Sequence, residues 1–133
     1  MDDLVKLEVQ RWLILAADDL DSARELMKRM PPIARNACFL TQQCVEKSFK
    51  AYLVSQGRHV EKTHFLLRLQ TVCKSIDDDF SKFREHARDL TDYAVRTRYP
   101  DDWYEFTIDE AKEAIIKAEE VMTFVIKKLD KYL

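Results

Sequence analysis

DLVKLEVQRWLILAADDLDSARELMKR, residues 3–29, decides the fold class. Leu4, Leu7, Trp12, Leu15, Ala16, Ala23, Leu26, Met27 and Met30 recur at three- and four-residue steps. Lys6, Glu8, Arg11, Asp18, Asp21, Arg24, Glu25 and Lys28 lie between them. That is the period of a helix with one dry and one wet face. Neither this stretch nor the rest of the chain alternates as a strand would.

The pattern continues outward from there. Pro31-Pro32 stop the first helix and pre-set the first turn of a second, because proline's missing N–H costs nothing at that point. The second helix runs to about Gln56, and Gly57 stands where a left-handed C-terminal residue is wanted. Thr63 is the expected N-cap of a short third helix carrying Phe65, Leu66, Leu69, Val72 and Ile76. Asp77-Asp78-Asp79 supply caps and negative charge at the start of a fourth, whose inner stripe is Phe80, Phe83, Ala87, Leu90 and Ala94. Pro100 ends it. Thr107-Ile108-Asp109-Glu110 forms a capping box for the last helix, with a stripe of Ala111, Ala114, Ile115, Ala118, Val121, Met122, Val125 and Leu129. Long helices of about 20–26 residues span roughly 30–39 Å each. Four of them with one short helix predict an all-α, antiparallel up-and-down bundle, a single domain over residues 1–133.

Composition narrows the function. Charged residues make up 35% of the 133-residue chain, against a usual ~25%, as amphipathic helices require. A single glycine excludes phosphate loops and dinucleotide turns, which need several to let backbone approach phosphate. A net charge of -2 argues against coating duplex DNA. No uncharged apolar run is long enough to span a bilayer, and the acidic Met1-Asp2-Asp3 start lacks the order of a secretory signal, so a cytoplasmic location is expected. The odd count of three cysteines, Cys38, Cys44 and Cys73, fits a reducing compartment and reads as packed thiols. His59, His64 and His86 form no metal-ligand pair, and no Glu-x-x-His falls on a bundle helix, so neither metal nor cofactor is expected.

Three segments can carry chemistry. In Gln42–Ala51 the polar residues sit mid-helix; they read as a Glu46–Lys50 pair with buried amides fixing register, or as an anion-facing surface of Lys47 and Lys50. The loop Gly57–His64 is locally basic: either a solvated connection, or a place where His64 meets an anion at the edge of the third helix. Tyr93–Phe106 is the richest, with Arg96 and Arg98 among Tyr93, Tyr99, Trp103, Tyr104 and Phe106. Guanidinium forks suit phosphates and aromatic faces stack bases. The same aromatics would also suit a loop packed on the bundle end or a protein interface, with Asp101 and Asp102 neutralising the arginines.

These segments, in this order on a helical bundle, resemble the HEPN family. The resemblance runs from about Arg11-Trp12 to Leu129 through Ala16-Ala17-Asp18-Asp19-Leu20, Gln42-Gln43-Cys44-Val45-Glu46-Lys47, Lys50-Ala51, Thr63-His64 and Thr97-Arg98-Tyr99-Pro100-Asp101. Phe65 departs from it, since the family often has an acidic residue after the histidine. The resemblance implies frequent homodimerisation, biology linked to nucleotides or RNA, and association with small nucleotidyltransferases, including toxin–antitoxin pairs. Some members are metal-independent endoribonucleases that use an arginine followed a few residues later by histidine. Here no histidine follows Arg98, and Tyr104 stands where it would be.

The expectation is therefore a nucleotide-associated binding module with no catalytic residue of its own. Its candidate ligand residues are Arg98, Tyr99, Arg96, Lys47, Lys50, His64 and Tyr104, with Arg98 and Tyr99 facing a cleft shared between two copies. An endoribonuclease using His64, and an interaction subunit that only holds a nucleotidyltransferase, are the alternatives. No membrane or duplex DNA partner is expected.

Overall fold

The computed structural model describes residues 2–97 and 99–133. Its helices are α1 (Asp3–Lys28), α2 (Ala34–Ser55), α3 (Leu66–Ile76), α4 (Arg84–Thr91), α5 (Tyr93–Arg96) and α6 (Ile108–Lys128). Tight 3-10 turns occupy Asp78–Phe83, Pro100–Asp102 and Asp130–Tyr132, and no strand occurs among the described residues. α1 and α2 pack as a hairpin, and α6 closes against both. α6 runs antiparallel to α1: Arg24 pairs with Glu119 at 2.8 Å, while Gln10 Nε2 donates to the Tyr132 carbonyl at 2.8 Å. The fold is the all-α bundle expected, with α3 as its short helix.

The fourth long segment is assembled from pieces. Residues 78–83 form a 3-10 turn, followed by α4 and then α5. The Asp77 carboxylate caps that turn by accepting the Asp79 N–H at 3.0 Å. Phe80 and Phe83 pin it to the core, Phe80 against Tyr52 and Phe124 at 4.5 and 5.0 Å and Phe83 against Phe124 at 4.9 Å. All five residues expected on its inner stripe are buried.

Local chemistry departs from the sequence reading at four places. The core face of α1 is Val9, Leu13, Ala16, Leu20 and Ala23, whereas Leu4, Leu7 and Leu15 are exposed. The N-terminal half of α1 carries apolar residues on two faces, and only the side on which α2 and α6 land becomes core. Pro31-Pro32 lie in the connection, and α2 begins at Ala34 without a side-chain cap. α3 starts after Phe65, not Thr63; the Thr63 hydroxyl instead accepts the Phe65 N–H at 3.1 Å, and Phe65 itself is exposed. Only half of the capping box forms: Thr107 Oγ1 accepts the Glu110 N–H at 3.0 Å, while the Glu110 carboxylate turns to other partners. Gly57 does take the left-handed conformation, φ 69°, that ends α2.

Candidate functional site

α2 carries a buried polar network in place of an apolar stripe. Glu46 is almost fully buried and accepts Lys50 Nζ at 2.9 Å, the i,i+4 pair its spacing predicts. Its other oxygen lies 2.7 Å from His64 Nδ1. Gln42 Nε2 donates to the His64 carbonyl at 3.0 Å, and Gln43 Nε2 to Gln42 Oε1 at 2.7 Å. Lys47 Nζ reaches back to Asp19 on α1 at 2.5 Å. Two α2 side chains thus hold His64 by its ring and its backbone, anchoring the 57–65 connection to the bundle. Lys47 and Lys50 each spend their charge on a carboxylate inside the fold, so neither offers an open cation. The Glu46 carboxylate thus holds the His64 ring through Nδ1. Phe65, exposed beside it, has no carboxylate to hold this loop; Glu46 does so instead.

The second assembly closes the other side of the same bundle end. Arg96, the last residue of α5, stacks on Tyr104, with Cζ 4.7 Å from the ring centroid. Its ion pair with Asp92 is long, 3.7 Å, and largely exposed. Tyr93 and Tyr104 both donate to Glu110 Oε2, at 3.0 and 2.8 Å. Hydrogen bonding to Glu110, then burial, raises the Tyr104 hydroxyl above its ordinary value, while burial leads the larger rise at Tyr93. Neither phenol can therefore take a proton near neutral pH. Arg35, at the start of α2, clamps the following loop: its Cζ lies 4.3 Å from Trp103 and 5.0 Å from Phe106, and Nη2 donates to the Tyr104 carbonyl at 2.8 Å.

Two cavities meet at Asp92. One, about 310 Å³, is bounded by Arg88, Asp92, Arg96, Tyr104 and Glu110. The other, about 270 Å³, is bounded by Lys62, His64, Phe65, Thr91 and Asp92. Arg96 and Tyr104 are thus brought together, His64 stands across Asp92 from them, and Lys47 and Lys50 are withdrawn into the α2 network. Tyr99 is exposed near this end, and Arg98 lies outside the described residues. A further cavity, about 800 Å³ between the 78–83 turn, α4 and α6, is lined by none of the expected residues. No group of His, Cys, Asp and Glu side chains able to hold a metal occurs among the described residues.

Two contributors escaped the sequence reading. Arg35 has no spacing relation to a loop some seventy residues downstream, so nothing local marks it. Glu110 was visible only as a helix cap. Asp92, not Asp101, proves to be the acid beside Arg96.

The polar second helix that grips a histidine loop and the arginine–tyrosine contact at its end sit on a small all-α helical bundle domain. The HEPN domain model matches residues 9–129, and the chain belongs to that family. Two crystal structures are similar over nearly the whole length. TT1696 from Thermus thermophilus is 29% identical, with a TM-score of 0.78, covering 91% of this chain and 98% of that one. ST0689, an archaeal HEPN homologue, is 28% identical, with a TM-score of 0.73, covering 91% and 97%. No curated protein matches the chain. No helix among the described residues is long and apolar enough to cross a membrane.

Proposed function

We propose that this HEPN domain is a non-catalytic, nucleotide-associated module, acting as a homodimer beside a small nucleotidyltransferase in the cytoplasm. It takes a nucleotide or a short RNA segment at the Arg96–Tyr104 end of the bundle. The observation that carries this reading is the Arg96 guanidinium over the Tyr104 ring, 4.7 Å from its centroid, at the edge of a cavity that Arg88 also borders. A planar guanidinium restrained by a ring contact suits bidentate phosphate contact. Its exposed, 3.7 Å contact with Asp92 is weak enough to be exchanged for a phosphate. Trp103 and Tyr99, 67% and 57% exposed, offer ring faces for a base. Arg98, next to this stack in sequence, completes the basic set.

Catalysis is disfavoured on chemical grounds. Tyr104 replaces the histidine of endoribonuclease members, and its raised phenol cannot serve as the base. The remaining imidazole beside these cavities, His64, is engaged through Nδ1 in holding its own loop.

A second reading is favoured by the apolar exposure around the same end, where Met30, Phe65 and Trp103 are 89%, 66% and 67% exposed. Such rings and thioethers fit a protein interface, and the chain would then only hold its nucleotidyltransferase. Melting the protein with ATP, GTP and short RNA separates the two. A ligand at about 100 times its Kd stabilises by about 2.7 kcal/mol, a rise in Tm of roughly 10 °C. A rise lost in Arg96→Ala supports the nucleotide module. A rise retained in that variant moves the site. No rise at millimolar nucleotide ends this reading and leaves the partner-holding one.

A further inference from the structure

The cavity between the 78–83 turn, α4 and α6 lies apart from both polar assemblies. At about 800 Å³ it has the size of a small-molecule site, roughly 300–1,000 Å³. Ile116, Glu120, Thr123 and Lys127 step by four, three and four residues along one face of α6. They make a wall about 16 Å long, with Ile116 at one end and Lys127 at the other. Phe83 and Phe124, which also line it, meet edge to face with ring centroids 4.9 Å apart.

The charges around this groove do not cancel. Its two acids are already engaged, Glu119 with Arg24 at 2.8 Å and Glu120 with His86 Nε2 at 2.9 Å. Lys82 and Lys127 form no ion pair among the described residues. The Lys82 ammonium lies 4.4 Å from the Phe124 ring centroid, and Phe124 is one turn from Lys127 on the same face of α6. Lys128, the next residue, is taken up by Asp77 and Asp79. The unspent charge is therefore positive and gathered at the Lys127 end. His86 adds an unmet demand, since its Nδ1 is buried without a hydrogen-bond partner among the described residues. Native folds leave few such atoms, and a ligand's polar group is one way to satisfy them.

We infer that this groove is a binding site for an elongated apolar monocarboxylate, of the class of a medium-chain fatty acid. The carboxylate sits between Lys82 and Lys127, and the apolar body runs past Phe124 and Phe83 towards Ile116. The head is a carboxylate because no arginine is among the described residues that line the groove. The planar fork that grips a phosphate from two sides is missing, and lysine ammoniums act as point charges. The body is apolar because aromatic and aliphatic groups form the rest of the walls, and Ile116 stands 50% exposed at the end away from the cations. Covering it removes apolar surface from water. The site is independent of the nucleotide reading, since Arg96 and Tyr104 border a different cavity.

Titration calorimetry on the full chain tests this, with decanoate and uncharged decanol as probes below their aggregation limits. The wild type is expected to bind decanoate, and to bind decanol more weakly. Octanoate should bind several-fold more weakly than decanoate, because fewer methylenes are buried. The double reversal K82E/K127E, at two exposed positions, should weaken decanoate by at least about tenfold and leave decanol unchanged. Retained decanol binding shows that the variant is folded. Ile116→Glu should weaken both probes, with an unchanged helical circular dichroism spectrum. Absence of decanoate binding at millimolar concentration overturns the site. Decanol bound as tightly as decanoate, or decanoate indifferent to the double reversal, overturns the charged head. Displacement of decanoate by ATP overturns the proposed ligand class, because the groove would then take a nucleotide.

Discussion

Arg35 carries its guanidinium 4.3 Å above the ring of Trp103, joining the first turn of α2 to the loop that leads into α6. The same group also donates to the Tyr104 carbonyl, so one side chain sets both the rings and the backbone of the 99–106 loop. A partly exposed cation–π contact contributes about 0.5–1 kcal/mol and a net hydrogen bond about 1 kcal/mol. Arg35→Ala should therefore cost roughly 1–2 kcal/mol and lower Tm by about 5 °C. In a Trp12→Phe background, the Trp103 emission should shift red and become easier to quench with iodide. An unchanged spectrum would show that the loop is held by Phe106 and Tyr104 alone.

Glu46 is the strongest single point of failure in the polar network. Glu46→Ala leaves the Lys50 ammonium buried without its acid and frees His64, and breaking a buried pair from one side costs about 3–5 kcal/mol. Replacing both partners, as Glu46→Leu with Lys50→Met, removes the stranded charge and should recover most of that loss. Urea unfolding of the single and double variants measures the difference. A double variant as unstable as the single one would mean that the hold on His64, not the ion pair, is what Glu46 contributes.

The sequence disclosed what local spacing controls. The stripes of the fourth segment and of α6, the Glu46–Lys50 pair and the Gly57 turn all depend on residues within one or two helical turns of each other. What it concealed depends on where separate helices come to rest. Leu4, Leu7 and Leu15 have the same period as the true core stripe of α1, and only the position of α2 and α6 decides between them. Lys47 reads as a free surface cation until Asp19, on another helix, is placed 2.5 Å away. Arg35, Tyr104 and Glu110 converge from three elements, so no short motif could have announced their contact.

Lys128 joins α6 to the 78–83 turn through Asp77 at 2.8 Å and Asp79 at 2.6 Å. The Lys128 hydrogen bond, with help from the Asp79 N–H, holds the Asp77 carboxyl below its ordinary value. A lowered folded-state pKa lends stability that is full above the unfolded carboxyl pKa and is lost as pH falls through the folded one. The two aspartates hold Lys128 above its usual value, so its share is present below the unfolded lysine pKa and fades only in strong alkali. Between those limits the bridge should be insensitive to pH. Lys128→Met should cost about 1 kcal/mol or less at neutral pH, since the pair is part-exposed. The gap to wild type should close only in strong acid, as Asp77 becomes protonated in the folded wild type as well. Tm measured against pH for the two proteins tests the sign directly; a gap that widens in acid would remove Asp77 from the account.

Cys38, Cys44 and Cys73 offer a way to time the opening of the core. All three are buried, and burial pushes each thiol up to about 12. Only the thiolate reacts with a disulfide reagent, so near pH 8 the folded protein should present almost no reactive sulfur. In denaturant all three should label at the rate of ordinary cysteine. Labelling of the native protein must then follow opening, and its rate reports which element opens. Cys73 lies on α3, its Sγ 3.8 Å from the Phe49 carbonyl, whereas Cys44 sits on α2 with its Sγ 3.9 Å from Met122 on α6. α3 is short and packs at one end, so Cys73 should label ahead of Cys44, with the difference read by mass spectrometry of partly labelled protein. Equal rates for the two thiols would mean that α3 comes away only when the whole bundle unfolds.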